Sequence, residues 1–364
     1  MFYRFSSVYR ALILAFFMFY LFFHMFANIK LGHVKPKKHR MSRDKGYQNS
    51  RRAPWCYKLP QEDEEILDIS DYPVKPNSIF FVETSCRHGN NLGLTVRQAC
   101  TYESTARAHP NSEILILFPA PVFLAEDPLP HIKEVLSFPN VKLLRVNLER
   151  YLKDTPLETF DFVTKMGRSK FSMSHASDYL RFVTLWKYGG TYLDSDFIVM
   201  RPLNSVDNYI AAEDENRVNV AVLNVNISSE IGKYAAEEFL KESIRRFNPR
   251  EWAENGPGSA TRVLKRICIE TRTRRMTREK CKGFTVYTPP PESPFYPTAL
   301  KWRFFFNEWV DWKYFDKIKR ESIALHMLGH LSDTKRIKKG ARKPYDILAR
   351  EFCPKVYATI KNYY

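Results

Sequence analysis

The chain has no Cys-x-x-Cys pair, so its six cysteines (Cys56, Cys86, Cys100, Cys268, Cys281 and Cys353) do not spell a zinc site. No segment repeats another, which sets aside solenoids and propellers. A net charge of +17 comes without zinc-finger spacing or a recognition-helix pattern, so nucleic acid is not an expected partner. The long apolar run Ala11–Ala27 is followed by no small-x-small cleavage site, because Met25 stands where cleavage after Ala27 needs a small residue.

What is present has a clear layout. Residues 30–58 hold ten Lys/Arg against one acid, Asp44; Arg4 and Arg10 add two charges, and the rest of the chain carries only +6. That distribution describes a solvated tether. The run Ala11–Ala27, apolar except for His24, reads as a short uncleaved signal anchor suited to the thinner membranes of the early secretory pathway. The expected organisation is a cytoplasmic tail (1–10), a transmembrane signal anchor (11–29), a basic, Pro-containing stem (30–76) and a catalytic domain (77–364). On charge alone, the Lys/Arg excess after the span would leave the C-terminal bulk in the cytosol. An even number of cysteines instead fits disulfides in an oxidising lumen, and Asn226-Ile227-Ser228 is a glycosylation sequon. Cys268 and Cys281, close in sequence, are the first expected disulfide; Cys86 with Cys100 is the second, leaving Cys56 and Cys353.

From residue 77 the pattern alternates. "NSIFFVETS" (77–85), "EILILF" (113–118) and "VKLLRV" (141–146) read as buried strands, separated by helices over Thr95–His109 and around His131–Ser137. Alternation of this kind predicts a wound, mostly parallel α/β sheet, with ligands beyond the carboxyl ends of the strands. Beyond about residue 250 the chain is aromatic and less regular; Trp252, Trp302, Trp309 and Trp312 are either core or platforms for acceptor sugars.

The segment "SDYLRFVTLWKYGGTYLDSDFIVM" (177–200) concentrates the chemistry. Asp178–Tyr188 reads as a buried helix capped by Ser177, with Asp178 and Arg181 on one face. Gly189-Gly190 turns it into a strand over 191–199. An apolar strand does not bury Asp194 and Asp196 without a partner, so the two carboxylates mark either a solvent-facing edge or a cation site. A hard divalent ion accompanying a nucleotide diphosphate prefers such oxygen ligands.

In these residues the chain resembles the α1,4-glycosyltransferases that make globo-series glycolipids. It carries "FFVETS", "ESTARAHP", "FPNV", "DTPL", the segment above, "GPGSATRV", "FYP" and "FCP" in family order. The resemblance implies a GT-A fold, a type II Golgi anchor with a lumenal catalytic domain, a UDP-sugar donor with Mn²⁺ or Mg²⁺, and a glycosphingolipid acceptor. It leaves homo-oligomers open. It makes Asp196 a direct metal ligand and gives Asp194 to the ribose and the metal's shell. It also gives Asp178 and Arg181 to the donor sugar or diphosphate, and Thr84, within "ETS", to the uridine. Gly256-Pro257 would open a helix near the donor sugar, and His326 would complete the metal site. Two departures stand out. Met327-Leu328-Gly329 follows His326 where the family has x-Trp-Asn, and Asn219-Val220 replaces an Asn-Gly of the pocket. Retention of anomeric configuration is the family's outcome, and no carboxylate stands out as a covalent nucleophile.

Two other readings remain. The motif "YLDSDFIV" also resembles the Asp-x-Asp of haloacid-dehalogenase-type phosphatases, which place it on the first strand. A tethered protein binding acidic glycans through residues 30–58, with an inactive site, is the non-enzymatic alternative.

Overall fold

Local chemistry sets the first half of the fold. The computed structural model describes residues 55–59, 66–89, 91–203, 206–289, 293–296 and 301–364. The expected cytoplasmic tail and signal anchor, and most of the stem, lie outside them. Among the described residues no helix is long and apolar enough to cross a membrane.

Strands β1 (Ile79–Val82), β2 (Ile114–Phe118) and β3 (Val141–Arg145) form where the apolar runs predict them. Helix α1 (Val96–Ala108) begins with a Thr95/Gln98 capping box and ends before Pro110, and α2 (Pro130–Leu136) follows β2. The short α3 (Leu148–Leu152) and α4 (Phe162–Arg168) lead into the long α5 (Ser172–Tyr188). Next come β4 (Gly190–Leu193), β5 (Phe197–Val199), β6 (Tyr209–Ala212) and β7 (Val218–Val225), then α6 (Glu230–Arg245), α7 (Ser259–Cys268), β8 (Thr285–Tyr287) and β9 (Phe295–Tyr296). The C-terminal part adds α8 (Trp312–Glu321), β10 (Ala324–His326), α9 (Gly329–Ser332), α10 (Pro344–Phe352) and α11 (Pro354–Thr359).

Seven strands form one mostly parallel sheet in the order β3-β2-β1-β4-β7-β6-β8, in which β7 runs antiparallel to β4 and β6. Successive β1 residues alternate between two cores: Ile79 and Phe81 pack on the side of α1, Phe80 and Val82 on the side of α5. Both faces are covered, which is why the strands read as unbroken apolar runs. A second, three-stranded sheet has the order β5-β10-β9.

Four expectations change. The strand foreseen over 191–199 is two strands in different sheets, and Asp194-Ser195-Asp196 is the turn between them. Helix α5 starts at Ser172, so Ser177 lies inside it and caps nothing. Ser169 holds that earlier start, its hydroxyl meeting His175 Nδ1 (2.7 Å) and accepting from the Phe171 N–H (2.9 Å). Residues assigned to the stem belong to the packed fold: Cys56, Tyr57, Ile66, Asp68 and Ile69 are buried.

Cys268 and Cys281 are joined, but Cys86 does not pair with Cys100. Cys86 bonds Cys56, because the Tyr57 hydroxyl donates to the Thr84 carbonyl (2.7 Å) and docks the 55–58 turn beside the end of β1. Cys100 bonds Cys353. It shares a face of α1 with Glu103, whose carboxylate accepts the Lys355 and Val356 N–H groups of α11 (3.0 and 2.7 Å).

Candidate active site

The chain leaves the carboxyl edge of β1 as Glu83-Thr84-Ser85, lining a cleft of about 460 Å³. Glu83 is buried. Burial alone would raise its pKa, but His88, Arg87 and the Ser85 side chain hold it down at about 2. The Gln98 amide donates to it as well. Thr84 lines the cleft while its hydroxyl donates to the Met173 carbonyl (3.1 Å).

At the end of β4, the Asp194 N–H donates to the Ala221 carbonyl (2.8 Å), and Asp194 Oδ1 accepts from the Tyr192 hydroxyl (2.6 Å). Arg181 is only 5% exposed. Its guanidinium lies 4.4 Å from the Tyr192 ring centre and 3.4 Å from both Asp178 and Asp194. Its hydrogen bonds run to the Val220 carbonyl (2.6 Å) and to the Ser177 hydroxyl (3.0 Å) and carbonyl (3.3 Å). Val220, the departure from the family's Gly, adds a buried side chain that packs in the core and lines the cleft, while its backbone carbonyl accepts from Arg181.

Strand β10 pairs with β5 so that His326 stands opposite Phe197, their rings stacked at 4.4 Å. His326 Nε2 lies 3.1 Å from Asp196 Oδ1 without satisfying it: that oxygen is buried and accepts no hydrogen bond among the described residues. Asp196 Oδ2 accepts the Gly329 N–H (2.6 Å), delivered by a left-handed Leu328 (φ 49°). The residues that replace the expected x-Trp-Asn therefore supply a backbone donor to the second carboxylate. One ligand atom each from Asp194, Asp196 and His326 lies within 4.8 Å of the others.

Burial raises the pKa of Asp194, and the Asp196 charge adds to this against Arg181. Asp196 goes the other way: burial is outweighed by His326 and the Gly329 N–H, so it stays ionised. Burial would discharge His326, but the Asp196 carboxylate raises its pKa instead. Asp178 is pushed to about 7, mainly by burial, with Arg181 opposing and Asp194 adding to the rise.

Gly256 and Pro257 form a wide helical turn, Glu254–Gly258, ahead of α7. A β-carbon on Gly256 would stand 2.3 Å from Asp178 Oδ1, so only glycine admits that carboxylate here. Of the tryptophans beyond residue 250, Trp302 is core and Trp312 half-buried, while Trp252 lines the cleft, 40% exposed, 5.2 Å from the His330 ring. Asn226 follows β7, its amide donating to Asp207 Oδ2 (2.9 Å).

Gln98, Gly329 and His330 carry no sequence motif that marks them as part of the site. Gln98 is legible as half of a capping box, but its reach to Glu83 is not.

The sequence matches an alpha 1,4-glycosyltransferase conserved region over residues 228–360 and a glycosyltransferase sugar-binding region containing a DXD motif over 95–215. It is 32% identical over 300 residues to lactosylceramide 4-alpha-galactosyltransferase of Homo sapiens, covering 79% of this chain and 78% of the relative. The chain belongs to the α1,4-glycosyltransferase family. Human alpha-1,4-N-acetylglucosaminyltransferase is 25% identical over 71% of this chain and 74% of its own. Among solved structures, galactosyltransferase LgtC in complex with donor and acceptor sugar analogs aligns at 16% identity and TM-score 0.35, covering 77% of this chain and 95% of its own. Membership in a family of α1,4-glycosyltransferases makes the protein a sugar-transferring enzyme and sets aside the phosphatase. The phosphatase motif belongs on a first strand, whereas here it follows β4.

Proposed function

We propose that this enzyme is a retaining GT-A-type transferase that moves a hexose, galactose or N-acetylgalactosamine, from a UDP-sugar. The transfer forms an α1,4 linkage to the terminal sugar of a glycosphingolipid. The observation that carries this is the convergence of Asp194, Asp196 and His326 at the carboxyl end of β4, beside Arg181 and Asp178. The lipid-linked acceptor is supported by the lactosylceramide in the relatives' name.

Asp196, Asp194 and His326 would hold Mn²⁺ or Mg²⁺, and the unsatisfied Asp196 Oδ1 is an atom such an ion fits. Once bound, the ion supplies positive charge against the departing diphosphate. Asp194, fixed by Tyr192 and Arg181, presents its other oxygen to the ribose. Thr84 and its neighbours border the uridine. Asp178, with a pKa of about 7, carries a proton for part of the time and can donate to a donor-sugar hydroxyl. Gly256 and Pro257 wall that position. Glu83 is held by Gln98, Arg87 and His88, and attack from the leaving-group face is the favoured course.

The disulfides support a lumenal domain, Golgi-anchored through residues 11–29 as a single-pass type II protein, with Asn226 open to glycosylation. A panel of UDP-galactose, UDP-N-acetylgalactosamine and UDP-N-acetylglucosamine against β-galactosyl and β-N-acetylgalactosaminyl glycolipids tests the reading. Metal-dependent transfer to one pairing is expected; UDP-sugar binding with no transfer would leave a glycan-binding protein.

A further inference from the structure

Trp309 is 93% exposed and makes no hydrogen bond or ring contact among the described residues. Single exposed apolar side chains are ordinary, but this one has built surroundings. It stands in the loop between the turn Trp302–Phe306 and α8. With Val310, Trp312, Ala341 and Arg342 it lines a hollow of about 630 Å³.

The rim of that hollow is basic in effect. Its two acids are engaged: Glu308 faces Lys343 (3.5 Å), and the Asp311 carboxylate caps α8 at the Tyr314 N–H (3.1 Å). Arg342 in its lining and Lys313, next to Trp312, have no carboxylate partner among the described residues. The turn that precedes the loop reaches the active-site lining. Phe306, three residues before Trp309, stacks on Tyr345 (5.4 Å), and Tyr345 lines the carboxylate cleft.

We propose that the 307–313 loop docks on the membrane that carries the acceptor, with the Trp309 indole in the headgroup layer and Arg342 and Lys313 on lipid phosphates. An indole prefers that interface because its ring is apolar and its N–H needs a polar partner. Basic side chains beside it can make charge-assisted hydrogen bonds to headgroup phosphate oxygens. The site would then work next to the surface from which a lipid-linked sugar projects. This rests on the glycolipid reading above.

The experiment uses the full chain in vesicles of phosphatidylcholine with a minority of phosphatidylserine, brominated at shallow acyl positions. No tryptophan precedes Trp55, so residues 1–54 contribute no indole signal. Shallow bromines are expected to quench the wild type, with most of that quenching absent from Trp309→Phe. Equal quenching in the two proteins overturns the proposal. A second arm is kinetic: Trp309→Ala is expected to lower transfer to a vesicle-borne glycolipid about tenfold, while transfer to the matching soluble oligosaccharide is retained. Equal loss on both acceptors would make Trp309 a sugar contact and overturn the docking role. If no acceptor is glycosylated, the glycolipid reading fails, and the quenching arm still decides the docking.

Discussion

Arg181 lies 3.4 Å from Asp194, yet its hydrogen bonds go to the Val220 carbonyl and to Ser177. A planar fork already committed to the protein is a fixed positive charge for Asp194, not a free clamp on the donor sugar. Arg181→Lys is therefore expected to weaken UDP and UDP-sugar binding alike and to lower the melting temperature. Lysine keeps the charge but cannot reproduce the fork, for a loss of about 1–3 kcal/mol from unmet buried acceptors. Calorimetry with both ligands plus a melting curve checks this. A loss confined to the intact UDP-sugar at unchanged stability would return Arg181 to the sugar.

Asp178 makes stability depend on pH with a definite sign. Its folded pKa of about 7 lies above the ordinary 3.8, so between those values the folded chain holds a proton that the unfolded chain has released. This contribution is full below pH 4 and fades as pH rises through 7, up to roughly 4 kcal/mol if the whole difference is realised. Asp178→Asn keeps the shape without the charge. Denaturant midpoints are expected to fall from pH 5 to pH 8 in the wild type by clearly more than in Asp178→Asn. Parallel pH curves for the two proteins would place the proton elsewhere.

For the metal, Asp196 is the informative substitution. Asn at this position retains an acceptor for the Gly329 N–H, so folding is expected to stay near wild type. Loss of an outer-shell partner costs about 10–100-fold in metal affinity, and loss of a direct ligand should cost at least that. Titration of Mn²⁺ into the UDP-bound enzyme is expected to show that loss for Asp196→Asn and for His326→Ala. Transfer should fall in parallel, and in Asp194→Asn too. Undiminished Mn²⁺ binding by His326→Ala would leave His326 as the ring stacked on Phe197 and no more.

What the sequence revealed, and what it hid, divides by range. Strands β1 to β3 and helix α1 are legible because their apolar runs, the Thr95 cap and Pro110 act locally. The Gly189-Gly190 reversal is legible for the same reason, both residues having positive φ (65° and 84°). The break after Leu193 is not. Apolar residues flank Asp194-Ser195-Asp196 on both sides, and only β10, more than a hundred residues on, takes Phe197–Val199 into a second sheet. Arg181 reads as sharing a ligand with Asp178, since nothing in the spacing shows that the Val220 carbonyl takes its guanidinium. Asp194 and Asp196 are legible from their apolar flanks and His326 through the family resemblance, whereas Gly329 shows itself only as a backbone donor.

The cysteines follow the same division and lead to a stability test. The Cys268–Cys281 separation is 13 residues, whereas Cys100–Cys353 spans 253. On the chain-entropy account, closing the longer loop restricts the unfolded chain more, by about 5 kcal/mol against about 3. Replacing Cys100 and Cys353 together by serine is expected to lower the unfolding midpoint more than replacing Cys268 and Cys281. The reverse order would mean that local packing around α7, not loop closure, sets these contributions.

Trp252 is where acceptor and donor effects should separate. Its indole borders the cleft 5.2 Å from His330, and Asp194, Asp196 and Arg181 line the same cleft. An exposed indole paired with an imidazole offers an apolar face to the ring of a sugar, whose C–H groups pack against aromatic surfaces. In this position it would meet the acceptor entering over the bound donor. Trp252→Ala is expected to raise KM for the acceptor about tenfold, equivalent to about 1.4 kcal/mol. KM for the UDP-sugar and the melting temperature should stay unchanged, the side chain being already 40% exposed. Trp252→Phe, which keeps an aromatic face, should recover much of the loss. If KM for the donor rises instead, Trp252 covers the UDP-sugar and the acceptor enters past another wall of the cleft.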